Sequence, residues 1–294
     1  MSTTTTTPSS PGHPAGAGVP FSLSRLGLIA SNTFLEAVRQ KLFNFLLILA
    51  IALVASAQFF REFNFGSSEL KFIADFGFGA LVFFGSVLTV ATTAQLFFSE
   101  IENRTALTLL AKPIWRAEFV FGKFLGVFAV VGVFCVVTIG LMIGLLYFRE
   151  RAIIATLSPD VIPAGGFIHY GDILLVGLLQ WIKFGVLTMI VLLIASFSNT
   201  NLYTVVTGFF VLVICHLQYL ARDAYGNVAN VFLRLGVRVL SYIFPNFQLF
   251  NLADQVGQGA GINPEVAARV AGYGLIYIVV IGLLAVYSFR SREI

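Results

Sequence analysis

Long apolar segments separated by short polar or charged ones dominate the sequence. Six of them are long enough, at about 1.5 Å rise per residue, to cross roughly 30 Å of hydrocarbon as helices. They are residues 42–60, 76–98, 121–148, 173–197, 202–220 and 272–289. Because lipid offers backbone groups no water and the apolar runs do not alternate, we predict helices rather than the strands of a barrel.

A different pattern precedes the first apolar segment, over residues 21–41. Its apolar residues fall on one face of a helix, and they are Leu26, Ile29, Ala30, Phe34, Ala37 and Val38. This periodicity predicts an amphipathic helix that lies in the membrane interface and turns into the first span near Lys41. Thr33, with Glu36 three residues later, fits a capping box. A short cytosolic helix packed on the bundle is the alternative.

The connection between the fifth and sixth spans, residues 221–271, is long and has its own pattern. The apolar stretch 231–244 is interrupted by two arginines, so it is too short and too charged for a span. We predict an interfacial or re-entrant helix there, ended by Pro245. Asn263 is predicted to cap the last helix, with Pro264 at its first helical position.

Composition places most of the protein in lipid. Of 294 residues, 58% are apolar or aromatic and 11% are charged, whereas soluble proteins have roughly half and a quarter. A net charge of +4 without a basic stripe gives no indication of nucleic-acid binding. Residues 1–20, rich in Thr, Ser, Pro and Gly, are predicted to form a disordered cytosolic tail. We therefore predict an all-α polytopic membrane protein in which residues 21–294 form one six-span domain.

Basic residues give little help with orientation. Nine lie on the side that carries the connection between spans two and three, and eight on the other side. Half of those eight lie in the long connection 221–271, where charge has less influence. An even number of spans and no cleavable signal predict that both termini are cytosolic, in a plasma or inner membrane, with 221–271 on the extracytoplasmic side.

Residues 99–123, between the second and third spans, carry the most distinctive polar pattern, SEIENRTALTLLAKPIWRAEFVFGK. Ser99 fits a cap, and a short helix is predicted to follow over residues 105–111. Pro113 then disfavours the α conformation at Lys112 and suits the first position of a new helix. The predicted arrangement is a helix, a sharp break and a second helix.

The order of residues in this segment is similar to that of the first cytosolic loop of ATP-binding cassette (ABC) transporter permeases of the type-2 exporter class. The positions that carry the resemblance are Glu100 or Glu102, Thr105, Leu109 and Leu110, Pro113, Arg116, Glu118, and Gly122 with Lys123. The amphipathic helix, the six spans, the short fourth connection at 198–201 and the long fifth one extend the resemblance over nearly the whole chain. One position departs, because Arg104 stands where many relatives have glycine.

The resemblance implies that this loop holds a coupling helix seated in a groove of a separate ABC ATPase subunit. Leu109, Leu110 and Trp115 would be its apolar anchors. The charged rim would consist of Glu102, Arg104, Lys112 and Arg116. The chain has no phosphate-binding loop of its own, so it is not expected to be an enzyme or to hold a cofactor, and ATP and Mg would bind the partner ATPase.

The resemblance further implies an export path enclosed by two such chains, either identical or related. Lys183 lies about ten residues into the fourth span, and a charge at that depth is expected to face the bundle interior or a translocation cavity. Asp75 is a conceivable partner. The short helices before the last span would help to form an external gate, with Tyr242, Pro245 and Phe247 as gate residues. A simple extracytoplasmic cap is the alternative.

Small residues on the third span predict close helix packing. Gly122 with Gly126, and Gly140 with Gly144, each have the spacing of a small-xxx-small motif. A second copy of the chain is one partner that this motif allows.

Two other functional classes stay open. A polytopic membrane enzyme would need clustered catalytic groups, yet His13, His169 and His216 are scattered and no H-E-x-x-H or G-x-S-x-G pattern occurs. For His216 we expect a satisfied structural role. A secondary transporter or channel would typically have internal repeats or interrupted, charged spans, of which Lys183 is the one sign.

Overall fold

The computed structural model describes residues 22–59, 69–102, 115–156, 167–224, 243–256 and 261–290. In these ranges the regular structure is helical. The α-helices are α1 Leu23–Arg39, α2 Lys41–Ser56, α3 Glu69–Glu102, α4 Arg116–Ile154, α5 Tyr170–Phe197, α6 Asn201–Ala224 and α7 Pro264–Arg290. Two 3₁₀ helices, Phe247–Phe250 and Ala253–Gln255, lie between α6 and α7. The predicted tail 1–20 and most of the predicted helix 231–244 lie outside the described residues.

The helices confirm an all-α polytopic membrane protein. Five of those described, α3 to α7, are long and apolar enough to cross a membrane. The pair α1 and α2 gives a sixth span if it is counted as one, and its two helices meet at a bend of 63°. The break lies at Gln40, where we predicted the turn into the first span.

The first predicted span was too long at its end. Helix α2 has 16 residues, about 24 Å at 1.5 Å per residue, and it ends at Ser56 rather than near residue 60. The Ser56 hydroxyl donates to the Leu53 carbonyl at 2.6 Å. The next amides bond three residues back, as Ala57 does to Val54. This local pairing tightens the chain into a turn.

The other helices extend beyond the predicted spans. Helix α4 has 39 residues, about 58 Å, so it projects past the hydrocarbon. Helix α3 continues to Glu102, and Ser99 lies inside it rather than at a cap. The predicted loop 99–123 is therefore shorter, because only residues 103–115 separate α3 from α4.

The last helix begins where the sequence predicts. The Asn263 side chain accepts a hydrogen bond from the Glu265 amide at 2.9 Å, and Pro264 is the first helical residue. An asparagine cap followed by proline satisfies an amide that no helical carbonyl can reach.

Long helices that follow one another in the chain run in opposite directions, whereas α5 and α7 pack side by side in the same direction, with Ile182 against Gly274 and Met189 against Gly282. The end of α3, the start of α4 and the end of α7 meet through the rings of Phe97, Phe119 and Phe289, with centroids 5.5 to 6.0 Å apart. We call this the basal end. At the opposite end, which we call the cap end, Arg149 of α4 pairs with Glu69 of α3 at 2.7 Å. The two 3₁₀ helices lie at the cap end, and α5 passes through the centre with residues 182–192 buried.

Helix α1 packs along the first turns of α4, and the two run in the same direction. Ile29 lies opposite Gly122, and Thr33 lies opposite Gly126. Thr33 is thus buried in the middle of an unbroken helix, so the predicted capping box was wrong. The apolar period continues on both sides of Thr33, and packing against Gly126 keeps the chain helical. The predicted apolar face is confirmed as the packed one, and the position of α1 in the membrane interface stays a prediction.

The glycines of α4 fall into two groups. A Cβ on Gly126 would lie 2.5 Å from the Thr33 Cβ and 2.7 Å from the Ala30 carbonyl oxygen. Gly122 and Gly126 therefore serve packing within the chain, where we had suggested a second copy. Gly140 and Gly144 have no described atom within 4 Å of an added Cβ.

Candidate functional site

Both edges of the predicted coupling loop are described, but its middle is not. Glu100 and Glu102 lie in the last turn of α3, and Trp115 directly precedes α4 with 53% of its surface exposed. Arg116 is the first residue of α4, and the remaining coupling residues lie outside the described residues, namely Arg104, Thr105, Leu109, Leu110, Lys112 and Pro113. The predicted coupling roles all stay predictions.

Glu118, in the first turn of α4, is fully buried and connects the start of α1 to the start of α4. One carboxylate oxygen accepts the Ser22 amide at 2.7 Å and the Arg25 guanidinium at 3.0 Å. The other oxygen accepts the Trp115 amide at 3.3 Å. The positive end of the α4 dipole further favours an acid here. A buried carboxylate is stable only when it is paired in this way, so Glu118 anchors α1 to the start of α4.

A second contact joins α1 to the end of α3. The Ser99 hydroxyl donates to the Glu36 carboxylate at 3.0 Å. Helix α1 therefore bridges the two helices between which the loop 103–115 emerges.

Arg116 is directed back into the chain. Its guanidinium donates to the Phe289 carbonyl at 2.7 Å, and its central carbon lies 5.9 Å from the Phe289 ring centroid. Carbonyls in the last turn of a helix lack helical partners and favour cations. Arg116 thus ties the start of α4 to the end of α7. We call these contacts of Ser22, Arg25, Glu36, Ser99, Arg116 and Glu118 the basal network.

A cavity of about 360 Å³ lies near the cap end, between α3, α5, α6 and the 3₁₀ helices. Its lining includes Lys183, His216, Phe247, Asp75 and Asp254. Lys183, at the midpoint of α5, is only 2% exposed, whereas the two aspartates are exposed. The lysine therefore lies at the inner part of the cavity and the carboxylates near its mouth.

Within the described ranges, Lys183 Nζ makes no hydrogen bond and no ion pair. This Nζ lies 5.4 Å from the centroid of the Phe184 ring, and Cys135 and His216 lie within electrostatic range of it. Asp75 shares the cavity, but the two do not form the ion pair that the sequence suggested as conceivable. An ammonium in this position borders the cavity and has no carboxylate partner among the described residues.

His216 and the 3₁₀ helices form the opposite wall. His216 Nδ1 lies 3.0 Å from the Leu212 carbonyl, a distance at which it donates a hydrogen bond. The His216 ring meets Phe247 edge-on, with centroids 5.5 Å apart. His216 thus has the structural contact that we expected, and in addition it lines the cavity.

The wall is fixed to the central bundle by polar contacts. Gln180 of α5 donates to the Phe250 carbonyl at 2.9 Å. The Asn246 amide donates to the Tyr273 hydroxyl of α7, also at 2.9 Å. Asn246 in turn accepts the Gln248 amide and so caps the first 3₁₀ helix.

The family described as ABC-2 family transporter protein matches residues 28–294. The chain belongs to the ABC-2 transporter family. This match covers nearly the whole sequence and confirms the resemblance first seen in the loop and the span order. The protein is therefore a membrane-spanning permease subunit of an ABC transporter. No curated protein matches the chain closely enough to count as a relative.

The permease brings some of the predicted path residues together. Lys183 and Phe247 line the same cavity, and Pro245 is buried directly before the first 3₁₀ helix. Tyr242 lies outside the described residues. Trp115 and Arg116 lie at the basal end, so these two coupling residues are separate from the cavity that Lys183 and Phe247 line.

Sequence reasoning missed two parts of these sites. Glu118 was noted as part of the loop pattern, but its burial and its bond to Arg25 were not foreseen. An acid in the first turn of a helix, with an arginine in the preceding amphipathic segment, was the available signal. Asp254 gave no signal, because it lies in a connection without periodicity and reaches the cavity only through the fold.

No group of three or more histidine, cysteine or carboxylate side chains that could hold a metal occurs among the described residues. The chemistry available in the cavity is that of binding, through the Lys183 ammonium, the His216 imidazole, two carboxylates and the amides of Gln248 and Asn251.

Proposed function

We propose that this permease is an exporter driven by a separate ABC ATPase subunit, which contacts the loop 103–115 at the cytosolic face. The basal network is the observation that carries the proposal. It ties the two helix ends that bracket the loop to α1 and to α7, through a buried carboxylate and a capped helix end.

A loop can transmit movement only when its supports move as a unit. Glu118 and Ser99 connect α4 and α3 to the same helix, α1, so a push on the loop would displace all three together. Helices α3 and α4 extend from the basal end to the cap end without a break. Since α3 supplies Asp75 and Phe78 to the cavity wall, displacement at the base would reach the cavity.

ATP can drive such a change only if its binding energy differs between two arrangements of the permease. In this proposal the ATPase binds ATP and Mg, and its contact with the loop 103–115 transmits this difference in binding energy to the permease. A second permease copy, identical or related, completes the path. The basal end and both termini lie in the cytosol, and the cap end with its 3₁₀ helices lies outside.

Replacing Trp115 tests the proposed contact between the loop 103–115 and the ATPase. We expect Trp115→Ala to lower the amount of ATPase that copurifies with the tagged permease from mildly solubilised native membranes. An exposed tryptophan at the edge of an interface is a typical energetic anchor, whose truncation costs about 2 kcal/mol, or roughly thirtyfold in affinity. The measurements are the ATPase-to-permease ratio and the ATP hydrolysis rate of the purified complex.

Phe59 provides the matched control. It is 85% exposed, but it follows α2 at the cap end, so Phe59→Ala should leave the ratio unchanged. Charge reversal at Glu102 with Lys112 gives a second test of the loop, whereas Arg116 is unsuitable because it caps α7. If Trp115→Ala and the double charge reversal both keep the ATPase-to-permease ratio and the ATP hydrolysis rate of the unmodified complex, the loop 103–115 is not the contact site of the ATPase.

A further inference from the structure

We propose that the cap-end cavity binds a zwitterionic group of headgroup size, with its anionic part on Lys183 and its cationic part near Asp75 and Asp254. Binding of such a group does not depend on the ATPase. Its assignment as the transported substrate does rest on the proposed function.

Lys183 is the first part of the argument. Burying an ammonium is costly unless an acceptor compensates it, and charges inside spans are normally paired within the bundle or wet. Lys183 is 2% exposed and borders the cavity, yet no described residue accepts a hydrogen bond from it. The Phe184 ring at 5.4 Å is a weak substitute for an anion. The missing partner is therefore expected from a ligand in the cavity.

The carboxylates determine what else the ligand carries. Asp75 lies within electrostatic range of both Lys71 and Asp254. Lys71, one turn before Asp75, offsets part of this negative charge, but two acids at the mouth still oppose a simple anion that enters. A ligand with an ammonium at its outer end avoids this repulsion and gains attraction at both ends of the cavity.

The volume and the lining of the cavity further restrict the class of ligand. About 360 Å³ is at the lower end of the roughly 300–1,000 Å³ typical of small-molecule sites. The apolar walls formed by Phe78, Val82 and Phe247 suit a short alkyl or glycerol linker between the two charges. Gln248 and Asn251 provide polar contacts along the same linker. The cavity is too small for a polymer or a folded peptide.

Ligand-dependent thermal unfolding of the purified permease in detergent tests the proposal. The probe is glycerophosphoethanolamine, and the comparisons are glycerophosphate, which lacks the cation, and ethanolamine, which lacks the anion. We expect the zwitterion to stabilise the protein with an apparent Kd at least tenfold lower than either half, since a ligand that binds the native state raises its Tm.

Variants separate binding from folding. Lys183→Met should weaken binding of the zwitterion at least tenfold. Lys123→Met is the matched control, because Lys123 is equally buried but lies at the basal end over the Phe119 ring. It should bind the zwitterion as the unmodified chain does, whatever its own stability. Asp254→Asn, at an exposed position, should reduce the preference for the zwitterion over glycerophosphate.

The source of the headgroup is tested in nanodiscs of phosphatidylglycerol with and without phosphatidylethanolamine. If the ethanolamine lipid abolishes the effect of the soluble probe, the site takes a lipid headgroup; if the effect persists, it takes a free solute. The proposal would be overturned if the permease bound glycerophosphate as tightly as glycerophosphoethanolamine. It would also be overturned if the Lys183→Met variant bound glycerophosphoethanolamine as tightly as the unmodified chain. Retention of the ATPase by Trp115→Ala would contradict the proposed coupling and leave these binding results unchanged, so the two proposals fail separately.

Discussion

At the scale of single residues, the chain treats its buried charges in two ways. The Glu118 carboxylate receives Ser22, Arg25 and Trp115 donors and so holds the basal end together. The Lys183 ammonium borders a cavity and has no such set among the described residues. A charge that is paired inside the fold contributes to structure, whereas one that faces an open cavity is available to a ligand.

Glu118→Ala tests the structural role of the first charge. Removing the carboxylate takes away the acceptor that the Arg25 guanidinium and two amides share in these part-buried hydrogen bonds, and we expect a loss of about 1 to 3 kcal/mol in the free energy of unfolding. Reversible unfolding of the permease in mixed micelles measures it. Glu265→Ala is the control, because its ion pair with Arg269 is exposed at the start of α7 and should contribute less than about 1 kcal/mol. Similar small losses in both variants would contradict the anchoring role of Glu118.

At the scale of helices, the contact between α1 and α4 depends on glycine. Without a Cβ, Gly122 and Gly126 let the α1 backbone approach closely, as small residues do between membrane helices. The Ala30 carbonyl and the Thr33 side chain fill the space at Gly126. Helix α1 can therefore pack closely on α4 only while positions 122 and 126 have no side chain.

Gly126→Ala should separate α1 from α4. The new Cβ would meet backbone and a branched side chain, and overpacking of this kind costs about 1 to 3 kcal/mol. We expect a lower Tm and a lower ATP hydrolysis rate, both measured on the purified complex of permease and ATPase. Gly140→Ala, on the same helix but with open space around it, should be neutral or slightly stabilising. The packing interpretation fails if the two substitutions have the same effect.

At the scale of the whole molecule, the bundle has two ends with different tasks. The basal end carries the network around the loop, and the cap end carries the cavity and the 3₁₀ helices. The long helices α3 and α4 connect the two ends. Orientation in the membrane then decides which end meets the ATPase.

Cysteine labelling tests this orientation. Both native cysteines, Cys135 and Cys215, are buried, so the background reaction with an impermeant maleimide should be low. We expect Trp115→Cys to react only in inside-out vesicles and Phe59→Cys only in right-side-out vesicles. A variant lacking both native cysteines checks the background. The reverse pattern would place the loop 103–115 outside the cell and contradict the proposed coupling.

Local features of the fold were predictable from sequence. The apolar runs gave the helices, because a helix in lipid must satisfy its backbone within a short segment. The break near Gln40, the cap at Asn263 and the inward position of Lys183 follow from neighbouring residues in the same way. The predicted helix ends were less accurate than the helices themselves, as at Ser56 and Glu102. Hydropathy ceases to be informative where a helix leaves the hydrocarbon.

The sequence by itself determined that this protein is a helical membrane permease, with a lysine deep inside one span. The tertiary structure decided which residues meet across long separations. It placed Glu118 against Arg25, Arg116 on the end of α7 and Gly126 under Thr33, and it joined Asp75, Lys183 and Asp254 around one cavity. Periodicity reports which face of a helix is apolar, but the partner of that face depends on packing, which no local pattern contains.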